Sequence, residues 1–240
     1  MYWRWMEGGS RDEDMKPTRE EVRQRILDIG VIPVIRAPKP SLAIAAARAI
    51  GAGGIPIVEI TMTVPGAIDV IAELTATTTF LVGAGTVLDV ETAYRCIEAG
   101  AQFLVSPILD SDTVKLAHRE GKLVMTGGLT PVEVVDAWKN GSDFVKVFPC
   151  GNMGGAGYLK TLKTVLPQID MIPTGGVNLA NMASFFEAGA AAVGIGGELV
   201  SMAALLAGNF DAIEEGARRY AAIALEVKTA RGVKYDNAIC

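Results

Sequence analysis

The strongest constraint on the fold is a rhythm in which short apolar, β-branched runs recur along the chain, each followed by a longer stretch with helical spacing. The runs are Ile32–Ile35, Ile55–Ile60, Phe80–Gly83, Phe103–Val105, Leu123–Met125, Phe144–Phe148, Met171–Pro173 and Ala191–Ile195, and they begin 20 to 27 residues apart. Runs that are apolar throughout indicate strands buried on both faces, as in a parallel sheet. The stretches between them, Ser41–Ala52, Ala67–Thr75, Val90–Ala99, Asp112–Glu120, Pro131–Asn140, Gly157–Leu166, Leu179–Ala188 and Leu199–Leu206, predict helices. Thr130-Pro-Val-Glu133 has the form of a capping box with proline at the first helical position. Thr18-Arg-Glu-Glu21 has the same form and opens an extra helix toward Gly30, with Val22, Ile26 and Leu27 at helical spacing. Eight such units in 240 residues predict a single (β/α)8 TIM barrel over 18–230 with an extra N-terminal helix. A doubly wound open sheet would want Gly-x-Gly-x-x-Gly after the first strand, and Arg36-Ala-Pro-Lys-Pro40 is unlike it. Residues 1–17, with two of the three tryptophans, read as an extension, and 231–240 as a C-terminal tail.

Composition narrows the chemistry. His118 is the only histidine, so multi-histidine zinc sites are excluded and any Ser-His-Asp or Cys-His apparatus would need that residue, which falls on a predicted outer helix. A net charge of −5 with scattered lysines and arginines argues against a nucleic-acid surface. Cys96, Cys150 and Cys240 are neither a disulfide framework nor a metal-knuckle spacing and predict a reducing, cytoplasmic setting. Cys150, near the predicted mouth, reads as a small buried filler or a reactive thiol. No apolar run spans a bilayer and no signal peptide is evident, so no membrane partner is expected.

In a (β/α)8 barrel chemistry belongs at the C-terminal ends of the strands. Those ends supply Arg36, Glu59, Thr61, Thr86, Ser106, Thr126, Lys146, Thr174 and the Gly194–Gly197 region. Glu59 and Lys146 stand out because each is a charge inside an apolar strand. Burial disfavours an ammonium, a cost that suits an enzyme needing a neutral amine to attack a ketone and form a Schiff base. An ion pair that merely neutralises itself is the competing explanation. Pro173-Thr-Gly-Gly-Val177 and Gly194-Ile-Gly-Gly197, after strands seven and eight, suit a phosphate site, although tight turns alone would also use glycine there. Gly83-Ala-Gly-Thr86 reads either as a plain turn or as a strand end whose glycines let substrate approach and whose hydroxyl holds a carboxylate oxygen.

Glu59-Ile-Thr-Met-Thr-Val-Pro65, Val82-Gly-Ala-Gly-Thr86, Ser106-Pro107, Val145-Lys-Val-Phe-Pro149 and Pro173-Thr-Gly-Gly176 together resemble the signature stretches of the class I aldolases that cleave 2-keto-3-deoxy-6-phosphogluconate (KDPG) and 4-hydroxy-2-oxoglutarate (KHG). The resemblance runs from Val22 to Tyr220. It implies a homotrimeric barrel acting on a small keto acid, with no metal and no other cofactor. It also implies Lys146 as the Schiff-base lysine and Glu59 as the general acid–base working through a water. Arg36 and Thr86 match contacts to the pyruvate carboxylate, and Thr174, Gly175 and Gly176 match the phosphate loop. Thr63, Pro107, Phe148, Gly196 and Gly197 complete the implied substrate-binding set. Three positions depart from the family pattern: Thr126 replaces a proline after strand five, Gly197-Glu198 replaces a phosphate-binding serine, and Thr63 replaces an arginine. Other phosphate-binding barrels, isomerases or transferases, would share the glycine loops without needing Lys146, and a non-catalytic or engineered barrel used as an assembly subunit is a further alternative.

Overall fold

The computed structural model describes residues 17–230. The expected extension, but for Pro17, and the expected tail 231–240 with Cys240 lie outside the described residues. Ten α-helices and eight parallel strands alternate as expected: α1 (Arg19–Ile29), β1 (Val31–Ile35), α2 (Pro40–Ala52), β2 (Ile57–Thr61), α3 (Ala67–Thr77), β3 (Leu81–Gly85), α4 (Val90–Glu98), β4 (Phe103–Val105), α5 (Ser111–Arg119), β5 (Leu123–Gly127), α6 (Pro131–Lys139), β6 (Phe144–Val147), α7 (Gly155–Val165), β7 (Met171–Pro173), α8 (Met182–Glu187), β8 (Val193–Ile195), α9 (Met202–Ala207) and α10 (Phe210–Ala230). Hydrogen bonding orders the strands β7-β6-β5-β4-β3-β2-β1-β8. A single bridge between Thr174 and Gly194 joins β7 to β8 and brings the sheet round into a nearly closed (β/α)8 barrel.

Each strand is buried along its whole length, because side chains pointing inward fill the barrel and those pointing outward meet the helix layer. Both capping boxes form: Thr18 with Glu21 starts α1, and Thr130 with Glu133 starts α6. Gly30 ends α1 in the left-handed region at φ 76°, where glycine carries no Cβ penalty. Across the N-terminal ends of the strands, α1 closes the barrel. Arg19 Nε donates to Asp143 Oδ1 at 2.6 Å, Arg23 pairs with Asp170, and the Arg23 guanidinium lies 5.2 Å over the Phe144 ring.

Some boundaries differ from the sequence expectation for local reasons. The helix expected from Leu179 begins at Met182, because the Asn178 side chain accepts from the Ala180 and Asn181 backbones and holds a turn. The helix expected from Leu199 begins at Met202, after Ser201 caps it by accepting from Ala204 N. A single 3-10 turn, Gly151–Met153, precedes α7, which starts at Gly155 rather than Gly157.

The 21-residue α10 was not expected. It buries Ile213, Ala217, Tyr220 and Ala224 at helical spacing and crosses the end of α2 so closely that a Cβ on Gly53 would stand 2.6 Å from Ala217 Cβ. Near its far end Lys228 Nζ donates to the carbonyls of Leu27 and Asp28, the latter at 2.6 Å, satisfying acceptors left open at the end of α1. Among the described residues no helix is long and apolar enough to cross a membrane.

Candidate active site

Glu59 on β2 pairs in register with Val34 and Gly83, and Lys146 on β6 pairs with Gly127 and Ile172. Both side chains point into the barrel, where Lys146 Nζ lies 3.9 Å from Glu59 Oε1 and neither side chain is more than 5% exposed. A self-neutralising pair would close to about 2.8 Å. Instead Glu59 Oε1 is buried without a hydrogen-bond partner among the described residues. The gap is too long for a hydrogen bond and wide enough for one water or one substrate oxygen to touch both groups. The Phe148 ring lies 5.5 Å from Lys146 Nζ and covers the amine on one side.

The β3 glycines make room for this pair. A Cβ on Gly85 would stand 1.9 Å from Glu59 Oε1, so the carboxylate lies in the space a side chain would fill. A Cβ on Gly83 would stand 2.2 Å from the Phe103 ring. The expectation that these glycines let substrate approach is therefore corrected: they admit neighbouring side chains. Gly85 is the positioning residue that the motif reading missed. Its signal was the inward parity it shares with Thr61 across the β2–β3 ladder.

Arg36, just beyond β1, is exposed and makes no ion pair or hydrogen bond with a described residue. One of its terminal nitrogens lies 3.1 Å from where a Cβ on Gly196 would stand, so the bare glycine after β8 leaves room for the guanidinium. Thr86 is the one non-glycine residue among those described with positive φ, at 59°, a strained conformation that places it at the end of β3. Thr61 donates to Ile35 O at 3.0 Å, and its hydroxyl lies 2.6 Å from that of the exposed Thr63.

On the other side of the mouth, Thr174 fills the space over Gly194, and a Cβ on Gly175 (φ 85°) would stand 3.4 Å from the Phe148 ring. A Cβ on Gly176 (φ 81°) would stand 2.9 Å from Gly151 Cα, and no described side chain or backbone stands within 4 Å of a Cβ on Gly197. The N–H groups of Gly175, Gly176 and Gly197 donate to no described residue. Pro107 crosses beside β5, where a Cβ on Gly127 would meet its carbonyl at 1.9 Å.

Other strand-end residues are not brought into this group. Thr126 pairs with Val145, one residue off the Lys146 row, so it faces the helix layer and does not line the mouth. Its hydroxyl is buried without a hydrogen-bond partner among the described residues. Cys150 is buried, donates weakly to Gly155 O, and burial pushes its thiol up to about 11, which makes it a filler and not a reactive thiol. His118 lies on outer helix α5 at the opposite end, 3.8 Å from Asp143 and half-buried. A shallow concavity of about 600 Å³ lined by Arg48 and residues 76–80 also lies away from the mouth; it gathers threonines and one arginine but no buried titratable group.

The KDPG and KHG aldolase family model matches residues 22–216. The chain is 35% identical to the KHG/KDPG aldolase of Escherichia coli (strain K12) over 81% of its own length and 92% of that protein's. It is 32% identical to the 2-dehydro-3-deoxy-phosphogluconate aldolase of Treponema pallidum, covering 77% and 89% of the two chains. Among solved structures it superimposes on the KDPG aldolase of Legionella pneumophila, captured with pyruvate as a covalent carbinolamine intermediate, with a TM-score of 0.74 at 30% identity over 82% of this chain and 96% of that one. Named members of this group are aldolases, hence lyases. The (β/α)8 barrel, the family match along nearly all of it and the identities to two aldolases together establish that this chain belongs to the KDPG and KHG aldolase family.

Proposed function

We propose that this chain is a Schiff-base aldolase that cleaves 2-keto-4-hydroxy acids of the KDPG and KHG type to pyruvate and an aldehyde. The observation that carries the reading is the buried Lys146 amine 3.9 Å from a buried Glu59 carboxylate oxygen that has no other partner among the described residues. Lys146 Nζ adds to the C2 ketone, and loss of water from the carbinolamine gives a protonated imine. Glu59, through the water that fits between the two groups, supplies and removes the protons of this step and then takes the proton of the C4 hydroxyl. The C3–C4 bond breaks, its electron pair enters the imine to form an enamine, and the aldehyde leaves. Protonation at C3 and hydrolysis release pyruvate and restore the amine.

Arg36, Thr86 and Thr63 are assigned to the keto-acid carboxylate, Phe148 and Pro107 to the walls beside the reacting carbons. The loops of Thr174, Gly175, Gly176, Gly196 and Gly197 are assigned to the aldehyde half, where the N–H groups of Gly175, Gly176 and Gly197, which donate to no described residue, suit a small polar ligand. A homotrimer is part of the proposal; Leu88, Val90, Tyr94 and Ile108 are exposed apolar side chains that a subunit contact would cover. A cytoplasmic setting suits the free thiols of Cys96 and Cys150. The test is a lactate-dehydrogenase-coupled assay of pyruvate release from KDPG, KHG and their unphosphorylated analogues. Pyruvate release from at least one supports the reading, and none from any contradicts it.

A further inference from the structure

The charges on the eight loops that follow the strands are few and unevenly placed. Apart from Lys146 on β6 itself, the cations are Arg36 and Lys39, both on the loop after β1. The loops after β6, β7 and β8, residues 148–154, 174–181 and 196–201, contain no lysine, arginine or histidine. Their one formal charge is Glu198, which directly follows the open Gly197, is exposed and forms no ion pair with a described residue. Asp89 and Asp110, the other loop carboxylates, are occupied as helix caps that accept from Thr92 and Thr113.

A keto acid brings one obligatory carboxylate, and the exposed Arg36 guanidinium is the group suited to it. A phosphate on the aldehyde half would add about two negative charges, to be met by backbone N–H groups beside a carboxylate. Those N–H groups serve a hydroxyl as well as an anion, whereas the Glu198 charge opposes only the anion. The Asn181 side-chain amide donates to Gly176 O, and the Asn178 side-chain oxygen is taken up by accepting from the Ala180 and Asn181 backbones. The Glu198 charge is also felt on α10, where after burial itself it is the next contribution pushing the Tyr220 phenol up to about 12.

We propose that Glu198 is a specificity-determining residue, and that this chain cleaves unphosphorylated 2-keto-3-deoxy sugar acids, whose aldehyde half is uncharged, in preference to their 6-phosphates. The inference rests on the aldolase reading and refines the same site. It is tested by measuring kcat/KM for 2-keto-3-deoxygluconate and for its 6-phosphate with the native chain, Glu198→Gln and Glu198→Lys. The native chain should favour the unphosphorylated acid by about tenfold or more, and the ratio of phosphorylated to unphosphorylated should climb roughly tenfold for each step from Glu to Gln to Lys. A native preference for the phosphate, or a ratio indifferent to the charge at 198, overturns the proposal. Borohydride trapping with pyruvate, which involves no aldehyde half, separates the two levels. Label on Lys146 with the preference reversed, or with neither sugar acid cleaved, overturns the specificity alone. No label and no cleavage overturns the aldolase reading and this proposal together.

Discussion

The two ends of the barrel handle charge in opposite ways. At the N-terminal end, Arg19 is bonded to Asp143, Arg23 to Asp170, and Asp143 Oδ2 also accepts from the buried Val124 N at 2.9 Å. At the C-terminal mouth, Glu59 Oε1 has no hydrogen-bond partner and lies 3.9 Å from the Lys146 amine, Arg36 stands unpaired among the described residues, and Thr86 is held at positive φ. Paired charges at one end tie α1 to the sheet. Charges at the other, held without close hydrogen bonds to one another, leave their interactions open to a ligand, at some cost in stability. Buried side-chain atoms without a hydrogen-bond partner are not confined to the mouth, since His118 Nε2 and Thr126 Oγ1 share that state among the described residues, but only at the mouth does such an atom, Glu59 Oε1, face a buried amine.

Changes at each end should break different properties. Glu59→Gln keeps the shape of the mouth and removes its proton acceptor, so kcat should fall by about 10²- to 10⁴-fold while Lys146 still traps pyruvate and thermal unfolding moves little. Equal loss of turnover and trapping would contradict the acid–base role. At the closed end, Asp143→Ala removes the Arg19 pair and leaves Val124 N–H unsatisfied, a loss of about 2 to 3 kcal/mol, or roughly 5 to 10 °C in Tm. Activity per folded molecule should hold, and a fall in kcat with unchanged Tm would erase the distinction between the ends.

The smallest effect is at the α6 cap, which belongs to neither. Thr130→Ala should cost about 1 kcal/mol at pH 7, read as a lower denaturant midpoint. Bonds from the Thr130 backbone and then its hydroxyl hold the Glu133 carboxyl below its usual range. That contribution is present above the ordinary carboxylate pKa and is lost as pH falls through the lowered one. The gap between native chain and variant should therefore narrow in acid, and a gap that widens would refute this linkage.

The barrel was legible in the sequence because both its signals are local: apolar strand runs fixed by burial on two faces, and capping boxes fixed by hydrogen bonds three residues apart. Even so, α10 escaped notice, since its Ile213, Ala217, Tyr220 and Ala224 stripe follows the last strand and has no place in the βα rhythm. At the site, Lys146 and Glu59 were conspicuous as charges in apolar strands, but their 3.9 Å separation depends on the pairing of β2 and β6 with their neighbours around the barrel. Gly85 differs from a turn glycine only through the β2–β3 register, which sets it on the inward face beside the Glu59 carboxylate and which the local motif does not contain. Thr126 misled for a similar reason, because a strand-end residue faces the mouth or the helices according to a parity that a one-residue change in strand position reverses.

The central claim is that the Lys146 amine forms a Schiff base, and its most direct test is reduction with borohydride in the presence of pyruvate, followed by peptide mass spectrometry. The account predicts a single pyruvate-derived adduct on Lys146 and none on the other lysines. An unlabelled Lys146, or label carried by another lysine, would contradict it.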